Sequence, residues 1–231
     1  MRLHRFIGNY NLSKDKVFIT EKAVVDQIRK VLRYKAGSKL ILSDGQGKEV
    51  ICEIADFGKN LVKCNIIDEL TRKKDYDKKV TLFCSVLRKK NFELAAQKAC
   101  EIGVNQIVPI IADHTVKLNL KFERLARILK EASEQAGRTI VPKVTDIMKF
   151  GDACEFSRDL DKNVLFDDSG DSFSSFTGSK STGVWIGPEG GWSDRELKKA
   201  KKAKFEILKL GRLTLRAETA AIVASFIALN L

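Results

Sequence analysis

Histidine is almost missing from this chain: His4 and His114 are the two among 231 residues. That leaves little for a Ser-His-Asp mechanism or a histidine-rich metal centre. The five cysteines, Cys52, Cys64, Cys84, Cys100 and Cys154, are odd in number and scattered, with no C-x-x-C pair. Neither a disulfide framework nor a zinc site is expected, and no residue is assigned to a metal. Long apolar runs are lacking too, since no stretch approaches the roughly 20 residues that span a bilayer. The N-terminus MRLHRFIGNYNLSKDK has no apolar core or small-residue cleavage site, which argues against export. The expectation is a soluble, cytoplasmic protein with no membrane partner, and not a redox, zinc or serine-hydrolase enzyme.

What the chain has is positive charge. Its formal net charge is +12 and its pI about 9.5, a balance that attracts polyanions over long range, nucleic acid first among them. Lysines that merely solvate the surface would account for the composition equally well. Both the first 79 residues and the remainder carry a basic excess, so neither is a charged tail.

Two styles of patterning divide the sequence. Residues 1–70 hold short alternating runs, KVFIT, SKLILSD, EVICEIAD and NLVKCNIIDEL, separated by turn chemistry at Asp44-Gly45-Gln46-Gly47 and Gly58-Lys59-Asn60. This predicts a small barrel. One amphipathic helix, EKAVVDQIRKVLRYKAG, is expected within it, closed by Gly37. The segment TRKKDYDKK, 71–79, is nearly all charge and reads as a linker. From Val80 strands alternate with helices: VTLFCSVL, FELAAQKACEIG, NQIVPIIA, FERLARILKEASEQAG, a helix near 150–157, NVLFDD, GVWIG, FEILKLG and TAAIVASFIALNL. Such alternation predicts an α/β domain with a parallel sheet over 80–231. SGDSFSSFTGSKSTG, 169–183, reads as a mobile surface loop. The terminal helix is apolar nearly all round and must be covered, by the core or by a second subunit.

The chemistry concentrates in GVWIGPEGGWSDRE, 183–196. It lacks the G-K-[ST] of a Walker loop and the G-x-G-x-x-G of a dinucleotide fingerprint. Glu189 would also repel a pyrophosphate. Ser193 and Glu196 form a capping box, so the glycines lie between a strand and a helix, where open α/β sheets bind ligands. Gly187, Gly190 and Gly191 are expected to allow left-handed turns, with a β-branched residue excluded at Gly190, and Pro188 fixes one φ. The bare backbone can then read the edge of a flat ring; a purely structural turn is the other reading. In LKLGRLTLRAETAA, 208–221, glycine again follows a strand. Leu210, Leu213 and Leu215 offer apolar wall there, while Arg216 and Glu218 are either polar handles or an ion pair at the helix start.

The ordered set VLRYKAG, QKACEIGV, EASEQAGRTIVP, IGPEGGWSDRE and LGRLTLRAETA resembles the RsmE family, 16S ribosomal RNA uridine N3-methyltransferases of the SPOUT superfamily. The resemblance runs from about Arg5 to the C-terminus. It implies a PUA-like RNA-binding barrel, a SPOUT-type α/β domain with a deep trefoil knot, a homodimer and S-adenosylmethionine as cofactor. His114-Thr115 stands where the family usually carries arginine-serine, Trp192 where it carries phenylalanine, and LGRLTLR where LGPRILR is commoner.

By resemblance the cofactor is held by Leu165, Phe166, Ile186, Gly187, Pro188, Gly190, Gly191, Leu210, Gly211, Leu213 and Leu215. A sulfonium without phosphate tolerates Glu189. Arg216 would oppose the charge that develops on uracil oxygens, and Glu218 would accept the N3 proton or orient Arg216. Arg5, Arg33, Arg88, Lys89, Lys98 and Arg138 are candidates for phosphates of 16S ribosomal RNA or the small ribosomal subunit. Gln135 and Arg138 face the cleft by resemblance. A SPOUT enzyme acting on another RNA or atom, and a non-catalytic ribosome-associated RNA binder, are the competing expectations.

Overall fold

The computed structural model describes residues 3–70, 77–116, 119–177 and 179–231, with the Lys89 and Ser175 side chains outside that description. The chain forms two compact units, Met1–Asp75 with Ser133–Val141, and Tyr76–Ala132 with Pro142–Leu231. Of the expected linker, 71–76 lie outside the described residues, and by Lys79 the chain is already a strand.

In the first unit β1 (Arg5–Ile7), β2 (Lys16–Ile19), β3 (Lys39–Ser43), β4 (Glu49–Gly58) and β5 (Leu61–Glu69) make a five-stranded sheet in the order β1-β3-β4-β5-β2. Only the β1–β3 pairing is parallel. The β4–β5 ladder slips twice, between Ile51 and Cys52 and between Ile54 and Asp56. Such bulges bend a strand and increase its twist. Alternate residues, Val50, Cys52 and Ile54 on β4 and Val62 and Cys64 on β5, enter one apolar core.

The expected long helix is shorter. α1 (Lys22–Asp26) passes into a π-helical stretch, Gln27–Val31, and stops, with Arg33 at φ 53°. The Gly37 N–H is taken by the Ile54 carbonyl oxygen at 2.8 Å. Gly37, at φ 86°, therefore turns the chain into β3 instead of capping the helix, because the sheet claims its donor.

The second unit is a parallel sheet with helices between its strands, as the alternation predicted. Its strands are β6 (Lys79–Ser85), β7 (Gln106–Ile111), β8 (Lys143–Val144), β9 (Met148–Lys149), β10 (Lys162–Ser172), β11 (Ser181–Ile186) and β12 (Glu206–Lys209). The order is β12-β10-β11-β6-β7-β8, with β9 also on β7. The helices are α2 (Lys89–Ile102), α3 (Phe122–Ala136, whose residues from Ser133 on count with the first unit), α4 (Phe150–Phe156), α5 (Asp194–Lys202) and α6 (Ala217–Asn230). Gly103, at φ 119°, closes α2 in the left-handed conformation. The central strands β6 and β11 are buried nearly throughout, the mark of a parallel sheet covered on both faces. Phe83 and Trp185 stack across them with ring centroids 4.1 Å apart.

The expected loop at 169–183 begins as strand. β10 continues to Ser172 beside β12, with a register shift between Phe166 and Asp171, and a 3-10 turn follows at Phe173–Ser175. Gly170 permits this. A Cβ there would meet the Ile207 carbonyl carbon and oxygen at 2.6 Å, so only a glycine lets the two backbones approach. Among the described residues no helix is long and apolar enough to cross a membrane.

Candidate functional site

Parallel strands β6, β11 and β12 run with their carboxyl ends toward one cleft of about 870 Å³, which β10 borders at Phe166–Asp168, the position where open α/β sheets take ligands. One wall is the glycine loop after β11. The other is the segment after β12 that leads into α6. Two stretches some twenty residues apart thus face a single cavity, and the purely structural reading of the glycine turn loses ground.

The glycine loop is held from several sides. Its Ser193 hydroxyl accepts from the Glu196 N–H at 3.2 Å, while the Glu196 carboxylate accepts from the Ser193 N–H at 2.9 Å. This is the predicted capping box. Glu196 is buried, and its second oxygen accepts from the Asp113 N–H at 2.9 Å. The Asp113 carboxylate in turn accepts from Ser193 Oγ and Arg195 Nη2, and these bonds hold it below the usual carboxylate range. Within the loop the Gly191 N–H donates to the Pro188 carbonyl oxygen at 2.9 Å. Trp192 folds back, its indole edge 3.1 Å from where a Gly187 Cβ would project. The segment after β12 is tied to β10, where Thr214 Oγ1 donates to Asp168 Oδ2 at 3.0 Å.

The glycines differ from expectation in one respect. Gly191 alone of the three has positive φ, 73°, with open space where its Cβ would be. Gly190 is constrained by contact instead, because an added Cβ would lie 3.1 Å from the Cβ of His114. The exclusion expected at Gly190 on φ grounds therefore belongs to Gly191.

Of the anticipated cofactor residues, Phe166, Ile186, Gly187, Pro188, Gly190, Gly191, Leu210, Leu213 and Leu215 line the cleft. Leu165 does not. It is wholly buried with Trp185 in the sheet core, since neighbouring residues of a strand point to opposite faces. Gly211 is exposed but outside the lining. Arg216 and Glu218 both line the cleft, and no hydrogen bond or ion pair joins them among the described residues. Glu218 is 7% exposed, and its Oε2 has no hydrogen-bond partner among the described residues. An unanswered buried acceptor in a cleft wall marks a place for a donor.

The candidate RNA contacts scatter. Arg88 lines the cleft itself. Lys98 is paired with Glu101 at 2.8 Å, Arg33 and Gln135 are exposed in the first unit, and the Lys89 side chain lies outside the described residues. Arg5 and Arg138 are corrected: they are 7% and 4% exposed. The Arg5 guanidinium binds the Glu49 carboxylate at 2.5 and 3.3 Å, with side chains 4% and 0% exposed. A core ion pair of this kind cannot also reach an external phosphate.

Sequence reasoning missed Asn91, Asp167, Asp168, Lys209 and Thr214 in the lining. The two aspartates were findable, because they follow the apolar run of NVLFDD toward the carboxyl end of β10. The walls carry four carboxylates, from Asp167, Asp168, Glu189 and Glu218, against the cations of Arg88, Lys209 and Arg216. Burial, then Glu189 and Glu218, push the Cys84 thiol up to about 12. The cleft suits a cationic or phosphate-free ligand better than a polyphosphate.

Comparison with known proteins agrees with this geometry. The RNA methyltransferase domain family matches residues 74–229, and the RNA methyltransferase PUA domain family matches 28–67. The ribosomal RNA small subunit methyltransferase E of Mesomycoplasma hyopneumoniae is 32% identical over 71% of this chain and 74% of its own length. Ribosomal RNA small subunit methyltransferase E 2 of Borreliella burgdorferi is 30% identical over 91% and 90%. The Neisseria gonorrhoeae ribosomal RNA small subunit methyltransferase E, crystallised with S-adenosyl methionine, superposes with a TM-score of 0.87 at 27% identity, covering 97% of this chain and 95% of that one. With a methyltransferase-domain match across more than half its length, a PUA match ahead of it, and two glycine-marked loops meeting over a carboxylate-rich cleft, this chain belongs to the RsmE family of RNA methyltransferases.

Proposed function

We propose that this protein transfers the methyl group of S-adenosylmethionine to N3 of a uridine in 16S ribosomal RNA of the small ribosomal subunit. The observation that carries the reading is the convergence of the glycine loop and the 210–216 segment on one cleft rich in carboxylates. The residues present fit that cofactor: bare main chain at Gly187, Gly190 and Gly191 admits a flat ring, and the carboxylates suit a cation. When bound, S-adenosylmethionine supplies an electrophilic methyl on a sulfonium.

The chain's own residues supply position and charge. Main chain of Ile186, Gly187, Gly191, Leu210 and Leu215 holds adenine and ribose, with Phe166 at the same wall. Glu218, whose Oε2 is buried and lacks a partner among the described residues, accepts the proton that uracil N3 must lose. Arg216, exposed at the cleft rim and not engaged by Glu218, opposes the charge that spreads to O2 and O4. The target uridine must be unpaired, because N3 lies on its pairing edge. Arg88 is placed to meet an RNA phosphate at the cleft, with Arg33, Lys98 and Gln135 as further contacts.

The same reading includes a trefoil path for the C-terminal chain, a homodimer and a cytoplasmic location. For the dimer, support comes from α6, where half-buried Ile222 and Val223 share a face with Phe226, 57% exposed. A second copy would cover that stripe.

Transfer of label from methyl-labelled S-adenosylmethionine to small-subunit RNA, followed by nucleoside mass spectrometry, tests the proposal. N3-methyluridine is the expected product. Label in a different nucleoside would reassign the target atom, and no label would leave an RNA-binding protein.

A further inference from the structure

The glycine loop is gripped from the side that does not line the cleft. Nδ1 of His114 lies 3.1 Å from the Gly190 carbonyl oxygen and 3.1 Å from that of Gly191. Both glycines line the cleft, whereas His114 does not. Carbonyl oxygens only accept, so Nδ1 carries the hydrogen and donates to both. The histidine is itself fixed. It sits in a turn closed by Thr115 N–H to the Ala112 carbonyl oxygen at 3.0 Å and by Ala112 N–H to Thr115 Oγ1 at 2.9 Å. Its neighbour Asp113 is bonded through main chain and side chain to Glu196, Ser193 and Arg195.

We infer that His114 is a positioning residue for the methyl donor: it sets the peptide planes of Gly190 and Gly191, and with them the main chain that faces the cofactor. The inference rests on the cofactor reading above. In a planar peptide the N–H points opposite the C=O, so holding two consecutive carbonyls orients the N–H groups of Gly191 and Trp192. The first of these already meets Pro188. The Gly190–Gly191 peptide is thus pinned at both ends, and without His114 only one end is held. Gly191, at φ 73° and with nothing within 4 Å of a would-be Cβ, has no side-chain packing to replace the lost bond.

The test uses the full-length protein and its His114→Ala, His114→Asn and His114→Gln variants, each checked for an unchanged thermal melt, titrated calorimetrically with S-adenosylmethionine and assayed for methyl transfer. An asparagine amide nitrogen occupies the place of Nδ1, and a glutamine amide nitrogen that of Nε2. His114→Ala is expected to weaken cofactor affinity roughly tenfold, the equivalent of about one hydrogen bond. His114→Asn should stay within about threefold of the unaltered protein, with His114→Gln resembling alanine. KM for the cofactor should rise while kcat at saturation holds, because no group at the uracil is touched. Equal binding by His114→Ala and the unaltered protein, or identical behaviour of Asn and Gln, overturns the inference alone. Failure of the unaltered protein to bind S-adenosylmethionine overturns the cofactor reading and this inference with it.

Discussion

Trp192 Nε1 donates to the main-chain oxygen of Phe166 at 3.0 Å, tying the end of the glycine loop to the neighbouring strand while the indole packs on Gly187. A phenylalanine in its place keeps the ring but drops the bond. Trp192→Phe should cost about 1 kcal/mol of stability, and Trp192→Ala about 3–5 kcal/mol, both read by urea unfolding.

Gly191 holds positive φ in open space, so side-chain volume is not what the position forbids. Gly191→Asn should keep most cofactor affinity, since asparagine tolerates the left-handed region, whereas Gly191→Val should abolish it. Calorimetry of both variants checks the contrast; equal affinities would place the constraint elsewhere.

Arg216 and Glu218 line the same cleft without bonding each other, so their losses should be separable. Arg216→Ala is expected to lower kcat by about 10²–10³-fold with little change in cofactor affinity, and Glu218→Gln by about 10²-fold or more. Single-turnover methyl transfer at saturating cofactor measures both. An Arg216→Ala defect confined to affinity would make that residue a cofactor ligand.

The Arg5–Glu49 pair is buried on both sides. Removing one partner leaves an uncompensated charge, so Glu49→Ala should destabilise the first unit by about 3–5 kcal/mol, while Arg5→Met with Glu49→Leu should recover most of that loss. Denaturant melts of the single and double variants give the comparison.

All five cysteines are buried and free. Burial pushes the thiols of Cys52 and Cys64 up to about 12 and that of Cys154 up to about 11, from an ordinary 9.0. A thiol whose folded pKa is raised favours the folded state fully below the unfolded value and loses that contribution as pH climbs from about 9 toward 11–12. The native protein should therefore resist alkylation at pH 8 and lose stability in that alkaline window, both measurable by thiol titration and thermal melts.

Much of the architecture was legible because it depends on neighbours in sequence. The capping box at Ser193 and Glu196 and the alternation of apolar runs in β4 and β5 involve residues a few positions apart. The convergence of two glycine-marked loops was legible as well, since each follows a strand of a parallel sheet. Where reading failed, the deciding partner was remote. Arg5 answers to Glu49, Gly37 to Ile54, Gly170 to the Ile207 backbone, and Gly190 to His114.

Hydrophobic period, turn chemistry and charge, all local properties, thus determined the α/β class, the strand–loop–helix context of the glycine segment and the basic net charge. Tertiary structure alone decided which arginine is buried in an ion pair, which glycine needs positive φ, and which carboxylate of the cleft wall keeps a buried oxygen without a partner among the described residues. The reason is that burial and hydrogen-bond satisfaction are set by atoms brought together across the fold, and no spacing within one segment encodes them.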